Sequence, residues 1–122
     1  GKVYCAEMNF LLITEFANMA RYYTPLPRYP ATSRDIALLI KEEIAVGAIE
    51  KTIQEIGSER LEQVALFDVY RGRQVPEGHK SAAFTLTYRD RDKTLTDEEV
   101  AVIHEKVLAV LKEQFNAVLR DV

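Results

Sequence analysis

The sequence is poor in the residues that form covalent and metal cross-links. Its 122 residues include one cysteine, Cys5, and two histidines. One cysteine cannot form an internal disulfide, and one cysteine with two histidines cannot complete a Cys₄ or Cys₂His₂ zinc site. A chain without disulfides fits a reducing, cytoplasmic compartment. The sequence therefore predicts a cytoplasmic protein without a structural zinc site.

Long hydrophobic runs are also missing. No apolar run approaches the roughly 20 residues needed to span a bilayer, and residues 1–4 have no signal-peptide pattern. They also lack an initiator methionine, so we expect the chain to be a piece of a longer protein.

The length and composition suit a single domain. With 48% hydrophobic and 29% charged residues, the chain fits one domain of about 100 residues plus a short extension.

Signals for enzyme chemistry are weak. His79 and His104 are far apart in the sequence, and Cys5 lies in a predicted strand with no base near it. Gly72 and Gly78 fit turns and lack the G-x-x-x-x-G-K-[ST] spacing of a phosphate-binding loop. The carboxylates occur at spacings typical of solvated helix faces. We therefore predict no catalytic and no metal-binding residue in this chain.

A proline cluster divides the chain. Three of the four prolines lie in residues 24–30, through which no helix can run. Before it, residues 3–6 fit a short strand, and Asn9 is placed to cap a helix over residues 10–20. This segment is too short to fold alone, so we expect it to be the end of a preceding domain.

The hydrophobic periodicity after the prolines predicts a strand, a helix and a second strand. Residues 35–40 alternate as in a mostly buried strand, and apolar residues then recur at helical spacing over residues 46–56. Gly57 is the expected C-terminal stop of that helix. Residues 61–70 are rich in β-branched and aromatic side chains, which predicts the second strand.

A change of apolar parity within the second strand predicts a β-bulge. The bulge is expected near Leu66-Phe67 and would leave Phe67 on the face opposite to Tyr70. A turn-rich loop leads to a third strand, which alternates clearly between two faces. The residues expected on its apolar face are Ala82, Phe84, Leu86 and Tyr88.

A helix and a short strand complete the order β-α-β-β-α-β. Thr96 and Glu99 form a capping box at the start of the helix, and residues 117–119 fit the last strand. Two right-handed crossovers that place both helices on one face give a ferredoxin-like α+β sandwich. The predicted sheet is antiparallel and four-stranded, with one face covered by the helices and the other open.

The formal net charge of −3 hides an uneven distribution. Residues 21–34 and 71–93 each sum to +3, whereas residues 41–62 and 97–113, which contain the two helices, each sum to −3. In the predicted fold, the helices form an acidic side and the open face of the sheet forms a basic side. A basic face is typical of a domain that binds a polyanion.

Three residues of the predicted open face suit contact with bases. Ala37 and Ser81 are small enough to let a base approach the backbone, and Tyr70 is placed to stack on one. An RNA-recognition motif shares the strand order but needs a glycine and exposed aromatic residues on its third strand. Here the glycine is missing, and Phe84 and Tyr88 share the apolar parity. The sequence therefore disfavours a generic RNA-recognition motif.

Four separated segments carry a family resemblance. They are residues 25–31 with Arg34-Asp35-Ile36-Ala37, then Phe67-Asp68-Val69-Tyr70-Arg71-Gly72, Gly78-His79-Lys80-Ser81, and residues 94–100. In this order they resemble the ferredoxin-fold anticodon-binding domain that ends the β subunit of bacterial phenylalanyl-tRNA synthetase. The resemblance covers residues 24–122. Residues 1–23 resemble the end of the catalytic-like but inactive module that precedes this domain.

The resemblance implies a role and a set of contacts. The family's holoenzyme is an (αβ)₂ heterotetramer whose α subunit charges tRNA(Phe) with phenylalanine, using ATP and Mg²⁺, while this domain grips the anticodon stem and loop. No ATP, Mg²⁺ or phenylalanine site, and no membrane or DNA partner, is expected for this chain. Ala37, Tyr70 and Ser81 are the expected contacts to anticodon bases. The expected phosphate contacts are Arg28, Arg34, Arg71, Arg73, Lys80 and Arg89.

Two other classes share the strand order. A regulatory module of the ACT type would bind an amino acid at a domain interface and needs no basic sheet face. A small acyl-phosphate hydrolase needs an arginine and an asparagine that converge on a phosphate, for which Asn9, Asn18 and Asn116 are poorly placed. The sequence favours a non-catalytic tRNA-binding domain over both.

Overall fold

The structure is a computed structural model, and it describes residues 1–120. The last two residues of the predicted domain 24–122 lie outside this range. The helices are α1 (Phe10–Glu15), α2 (Val46–Gly57) and α3 (Asp97–Phe115), and the strands are β1 (Thr32–Lys41), β2 (Leu61–Tyr70), β3 (His79–Tyr88) and β4 (Val118–Arg120). None of the helices in residues 1–120 is long and apolar enough to cross a membrane.

The four strands form one sheet in the order β2-β3-β1-β4, with each neighbouring pair antiparallel. The predicted ferredoxin-like α+β fold is confirmed. Strand β4 begins one residue later than expected, at Val118, and includes Arg120, which pairs with Ala37 of β1. The side chains of Arg120 and Ala37 therefore share one face of the sheet.

The hydrophobic core lies between one face of the sheet and helices α2 and α3. Phe84 and Tyr88 of β3 are fully buried, and Ile49 of α2 and Val107 of α3 belong to the same cluster. The alternation predicted for β3 is confirmed, because its core residues are the predicted ones, Ala82, Phe84, Leu86 and Tyr88. Burying a large apolar side chain contributes roughly 1.5–3 kcal/mol. The two helices therefore cover this face and leave the other open.

Helix α3 begins and ends at residues suited to those positions. The predicted capping box is present, with the Thr96 side chain accepting from the backbone N–H of Glu99 and the Glu99 side chain accepting from that of Thr96. Hydrogen bonds from Lys93 and from the Thr96 backbone lower the pKa of Glu99 to about 2. The helix ends at Phe115 and is followed by the capping residue Asn116, whose φ of 51° is left-handed, a conformation that asparagine tolerates.

Helix α2 ends at Gly57, as the sequence predicts, but without a left-handed glycine. Gly57 is the last helical residue with φ −65°, and Ser58 adopts the positive φ of 54° instead. Gly57 is required here for space and not for its backbone freedom. A Cβ at this position would overlap the side chain of Leu61, the first residue of β2.

The N-terminal segment departs from prediction. Asn9 caps α1 as expected, and its side chain accepts from the backbone N–H groups of Leu11 and Leu12. However, the helix ends at Glu15 instead of residue 20, and residues 3–6 form no strand. Residues 1–28 are exposed throughout. A strand needs a pairing partner and a short helix needs a packed face, and this segment finds neither within residues 1–120.

The pairing of β2 with β3 contains the predicted bulge. The register shifts between Leu66 and Asp68, which pair with Phe84 and Ala83 respectively. Phe84 faces the core, and Ala83 faces the open side of the sheet. Phe67 is therefore the extra residue, inserted between a core-facing pair and an open-facing pair.

Candidate nucleic-acid interface

A shallow pocket of about 380 Å³ lies on the open face of the sheet, where β1 and β3 meet the end of β2. The register explains its position, because Ala37 pairs with Ala83 and Tyr70 pairs with Ser81. The three residues expected to contact bases, Ala37, Tyr70 and Ser81, therefore meet in one place. The lining residues are Ala37, Phe67, Asp68, Tyr70, Gln74, Ser81, Ala83 and Arg120.

Small side chains form the floor of this pocket and aromatic rings form its rim. Ala37, Ser81 and Ala83 are 6%, 5% and 9% exposed, whereas Phe67 and Tyr70 are 55% and 41% exposed. A floor without bulk lets a flat group approach the sheet, and exposed rings at the rim offer stacking surfaces. This combination suits an unstacked nucleobase.

Tyr70 is held in place by two neighbours, Arg120 and Gly72. The Arg120 guanidinium lies over its ring, 5.7 Å from the centroid, and Arg120 Nη2 donates to Gln74 Oε1 at 2.7 Å. The contact with the ring is a cation–π interaction. Gly72 is also close to the ring, because a Cβ at position 72 would overlap the phenol of Tyr70. The ring occupies its position because Gly72 has no side chain.

The position of Phe67 corrects a prediction. Phe67 lines the same pocket as Tyr70, although the parity of the strand places the two on opposite faces. The bulge accounts for the difference, since the inserted residue turns toward the open side next to Asp68.

Arg120 is a pocket residue that the sequence pattern does not predict. The one available signal is its alternation with Leu119, and a strand of three residues is too short for that signal to be read.

Three of the residues expected at phosphates are exposed. Among residues 1–120, Arg28 and Arg73 form no ion pair. Arg71 binds Glu42, and its Nε and Nη2 atoms lie 2.8–3.0 Å from the carboxylate oxygens. This hydrogen bond lowers the pKa of Glu42 and raises that of Arg71. Arg71 must therefore exchange a carboxylate for a phosphate if it is to bind RNA.

Arg34 and Lys80 do not face the open side of the sheet. Arg34 donates from Nη2 to Asp97 at the start of α3, 3.2 Å away. Lys80 is 6% exposed, and its Nζ donates to the backbone carbonyl of Glu42 at 3.0 Å. Both residues have the parity of core-facing neighbours in their strands. The phosphate contacts expected of Arg34 and Lys80 stay predictions, and RNA would have to reach these residues from the helix side or the edge of the sheet.

Arg89 is engaged at the opposite end of β3 from the pocket. Its Nε donates to Glu62 at 3.1 Å, and its Nη1 donates to the backbone carbonyl of Tyr29 at 2.7 Å. The guanidinium therefore holds the proline cluster, residues 24–30, against the β2–β3 end of the sheet. A phosphate contact would have to compete with these two bonds.

The structure does not support the basic open face expected from the segment charges. Asp35 and Asp68 both lie on this face, and Asp35 accepts a hydrogen bond from Thr85 Oγ1 at 2.7 Å. Positive charge on this side comes from individual residues such as Arg120 at the rim of the pocket. The interface is therefore a mixed polar and aromatic surface.

The titratable pair on the helix side of the sheet is structural. Tyr88 Oη and His104 Nδ1 are 3.0 Å apart, and their rings meet edge to face at 76°. Burial lowers the pKa of His104 and raises that of Tyr88 to about 12. Elsewhere in the described chain, no three His, Cys, Asp or Glu side chains converge as metal ligands would.

Comparison with known proteins shows which family this chain belongs to. A family model described as the ferredoxin-fold anticodon binding domain matches residues 27–120. The phenylalanine–tRNA ligase β subunit of Geobacillus kaustophilus is 49% identical over 119 residues, which are 98% of this chain and 15% of that protein. The β subunits of Clostridium tetani and Halalkalibacterium halodurans are 44% and 45% identical over 98% and 97% of this chain, and the chain covers 15% and 14% of them. The chain therefore belongs to the ferredoxin-fold anticodon-binding domain family, in the form found in phenylalanine–tRNA ligase β subunits.

Proposed function

We propose that this chain binds the anticodon stem and loop of tRNA(Phe) and performs no chemistry itself. The observation that carries this proposal is the open-face pocket in which Ala37, Tyr70 and Ser81 meet. A splayed anticodon base would enter above the small floor and stack against the aromatic rim. The family match supports this function over the ACT-type and acyl-phosphate hydrolase alternatives.

Binding would combine base contacts in the pocket with phosphate contacts elsewhere on the domain, near the pocket for Arg73 and toward the opposite end of the sheet for Arg28. Arg28 and Arg73 are exposed and have no ion-pair partner within residues 1–120, so they are the first candidates for phosphates. Arg71 would join them by exchanging Glu42 for a phosphate. Phosphate contacts fix the position of the RNA, and base contacts provide the discrimination between sequences.

We assign the aminoacylation reaction to a partner subunit and not to this chain. We propose that a partner α subunit, in an (αβ)₂ heterotetramer, uses ATP and Mg²⁺ to charge the tRNA that this domain positions. This proposal is supported by the curated relatives, which are phenylalanine–tRNA ligase β subunits of which this chain covers 15%. The exposed, unpaired thiol of Cys5 agrees with a cytoplasmic location, where cysteines stay reduced.

Residues 1–23 are proposed to belong to the module that precedes this domain. Their apolar side chains are exposed, among them Phe16 at 87% and Met19 at 89%, and the family match begins at residue 27. Removing residues 1–23 should therefore leave the free energy of unfolding of the domain unchanged. A clear loss of stability in urea would contradict this boundary.

Gel-shift titration at two salt concentrations tests the proposed function. The chain should bind tRNA(Phe) more tightly than a non-cognate tRNA, and its affinity should fall steeply as salt rises, because phosphate contacts release counterions. Affinity that does not respond to salt, or equal affinity for both tRNAs, would overturn the proposal.

A pair of variants separates base contacts from phosphate contacts. Ser81→Leu fills the floor of the pocket and should weaken binding of tRNA(Phe) more than binding of the non-cognate tRNA. Arg73→Ala should weaken binding of both tRNAs equally. It should also reduce the slope of log affinity against log salt concentration by about 1, the loss of one phosphate contact. Thr87→Leu is a matched control for Ser81→Leu, since Thr87 shares the open face of β3 but lies outside the pocket.

A further inference from the structure

We propose that Phe67 is a second base-stacking platform of the open face, which takes an unpaired RNA base beside the one at Tyr70. This inference rests on the proposed RNA-binding function and assigns a second contact to the same surface. Phe67 is a single residue inserted by a bulge, and its ring lines the pocket that contains Tyr70 and Ser81.

The bulge gives the open face an aromatic ring that regular pairing would not supply. The neighbours of Phe67 pair with Phe84 and Ala83, which are adjacent residues of β3, so the ladder on both sides remains in register. The inserted residue therefore interrupts the pairing between β2 and β3 locally, and its side chain does not contribute to the core. Bulges beside functional sites commonly redirect one side chain, and here the redirected side chain is Phe67.

Phe67 is the more available of the two rings. It is 55% exposed, compared with 41% for Tyr70. The Arg120 guanidinium already covers one face of Tyr70. Within residues 1–120, Phe67 has no such cation over its ring and no aromatic partner. Stacking removes an exposed phenylalanine ring from contact with water, which is favourable. The flat face of a nucleobase is a suitable surface for this stacking.

The chemistry of the ring determines what it can recognise. Phe67 has no polar side-chain atom, so stacking on it strengthens binding without distinguishing one base from another. Discrimination would come from the polar groups beside it in the pocket, Asp68, Gln74 and Ser81. Phe67 should therefore change affinity by a similar factor for every base that it can reach.

The test measures binding of a synthetic anticodon hairpin of tRNA(Phe) by fluorescence anisotropy. Phe67→Leu retains an apolar side chain but removes the ring, and should weaken binding about 5- to 150-fold. Phe67→Tyr retains the ring and should bind like the wild type. Phe16→Leu makes the same change at an exposed phenylalanine outside the matched domain, and should have no effect. Urea unfolding of each variant verifies the fold.

A hairpin with abasic loop positions separates stacking from an indirect effect. The wild type and Phe67→Leu should bind this hairpin equally, because no base remains to stack. If Phe67→Leu binds the intact hairpin like the wild type while Tyr70→Leu binds it more weakly, the role of Phe67 is refuted and the proposed function stands. A loss that persists on the abasic hairpin also refutes stacking. If the wild-type chain does not bind the intact hairpin at all, the proposed function itself fails.

Discussion

Replacing Gly72 with alanine should displace Tyr70 without unfolding the domain. A Cβ at position 72 would overlap the phenol of Tyr70, and the ring can rotate away because the overlap is at the far end of a flexible side chain. Gly78, and not Gly72, is the glycine with a positive φ among the described residues, so the backbone accepts alanine at position 72. The change is therefore confined to the position of one ring.

The magnitude follows from the contacts that Tyr70 makes. Loss of one stacked base costs about 1–3 kcal/mol, which corresponds to a decrease in affinity of roughly 5- to 150-fold. The stability cost is smaller, because the contact of the ring with Arg120 is worth about 0.5–1 kcal/mol at an exposed site. Gly72→Ala should therefore lower the free energy of RNA binding by more than it lowers the free energy of unfolding.

A double-mutant cycle with Tyr70→Ala measures this coupling. Binding of the anticodon hairpin is compared for the wild type, Gly72→Ala, Tyr70→Ala and the double variant. Gly72→Ala should have no further effect once the tyrosine is gone. Gly47→Ala is the control, since a Cβ there has no neighbour within 4 Å. If Gly72→Ala lowers affinity equally with Tyr70 and with Ala at position 70, the role of Gly72 is refuted. If Gly72→Ala binds the hairpin with full affinity, the position assigned to the Tyr70 ring is refuted.

Other predictions concern stability. Gly57→Ala should lower the free energy of unfolding in urea by about 1–3 kcal/mol, because a Cβ there overlaps Leu61, whereas Gly47→Ala in the same helix should not; equal values would contradict the steric reason. Thr96→Ala removes the cap of α3 and should cost about 0.5–2 kcal/mol, seen as a lower thermal midpoint. Burial lowers the pKa of His104 from 6.5, so protonation favours the unfolded chain. The free energy of unfolding should therefore fall as pH drops below 6.5, and His104→Gln should reduce this decrease; parallel pH curves would contradict it.

Features that depend on a few neighbouring residues could be predicted from the sequence. The alternation of β3 predicts its two faces, and the parity change in β2 predicts a bulge. The same alternation also contains information that a sum of charges hides. Lys80 has the parity of Ala82 and Phe84, and Arg34 has the parity of Ile36. Strand parity therefore indicates the helix side for both residues, where the structure places them.

Features that depend on distant pairs could not be predicted in the same way. Arg34 binds Asp97, 63 residues away, and Arg71 binds Glu42, 29 residues away. Such pairs neutralise charges that a segment sum counts as free. The sequence pattern also could not predict which face of the sheet Phe67 occupies. A parity change locates a bulge but does not identify the extra residue. Only the register with β3 decides this.

The bulge has a consequence for how the chain tolerates changes in length. Deleting one residue from a regular strand exchanges inside and outside for every residue that follows. Deleting Phe67 would instead make Leu66 and Asp68 consecutive while they keep their partners Phe84 and Ala83, which are already consecutive. The rest of β2 would keep its facing, and the pocket would lose one ring. The number of aromatic rings on this surface can therefore change by a single-codon deletion, without redesign of the core beneath it.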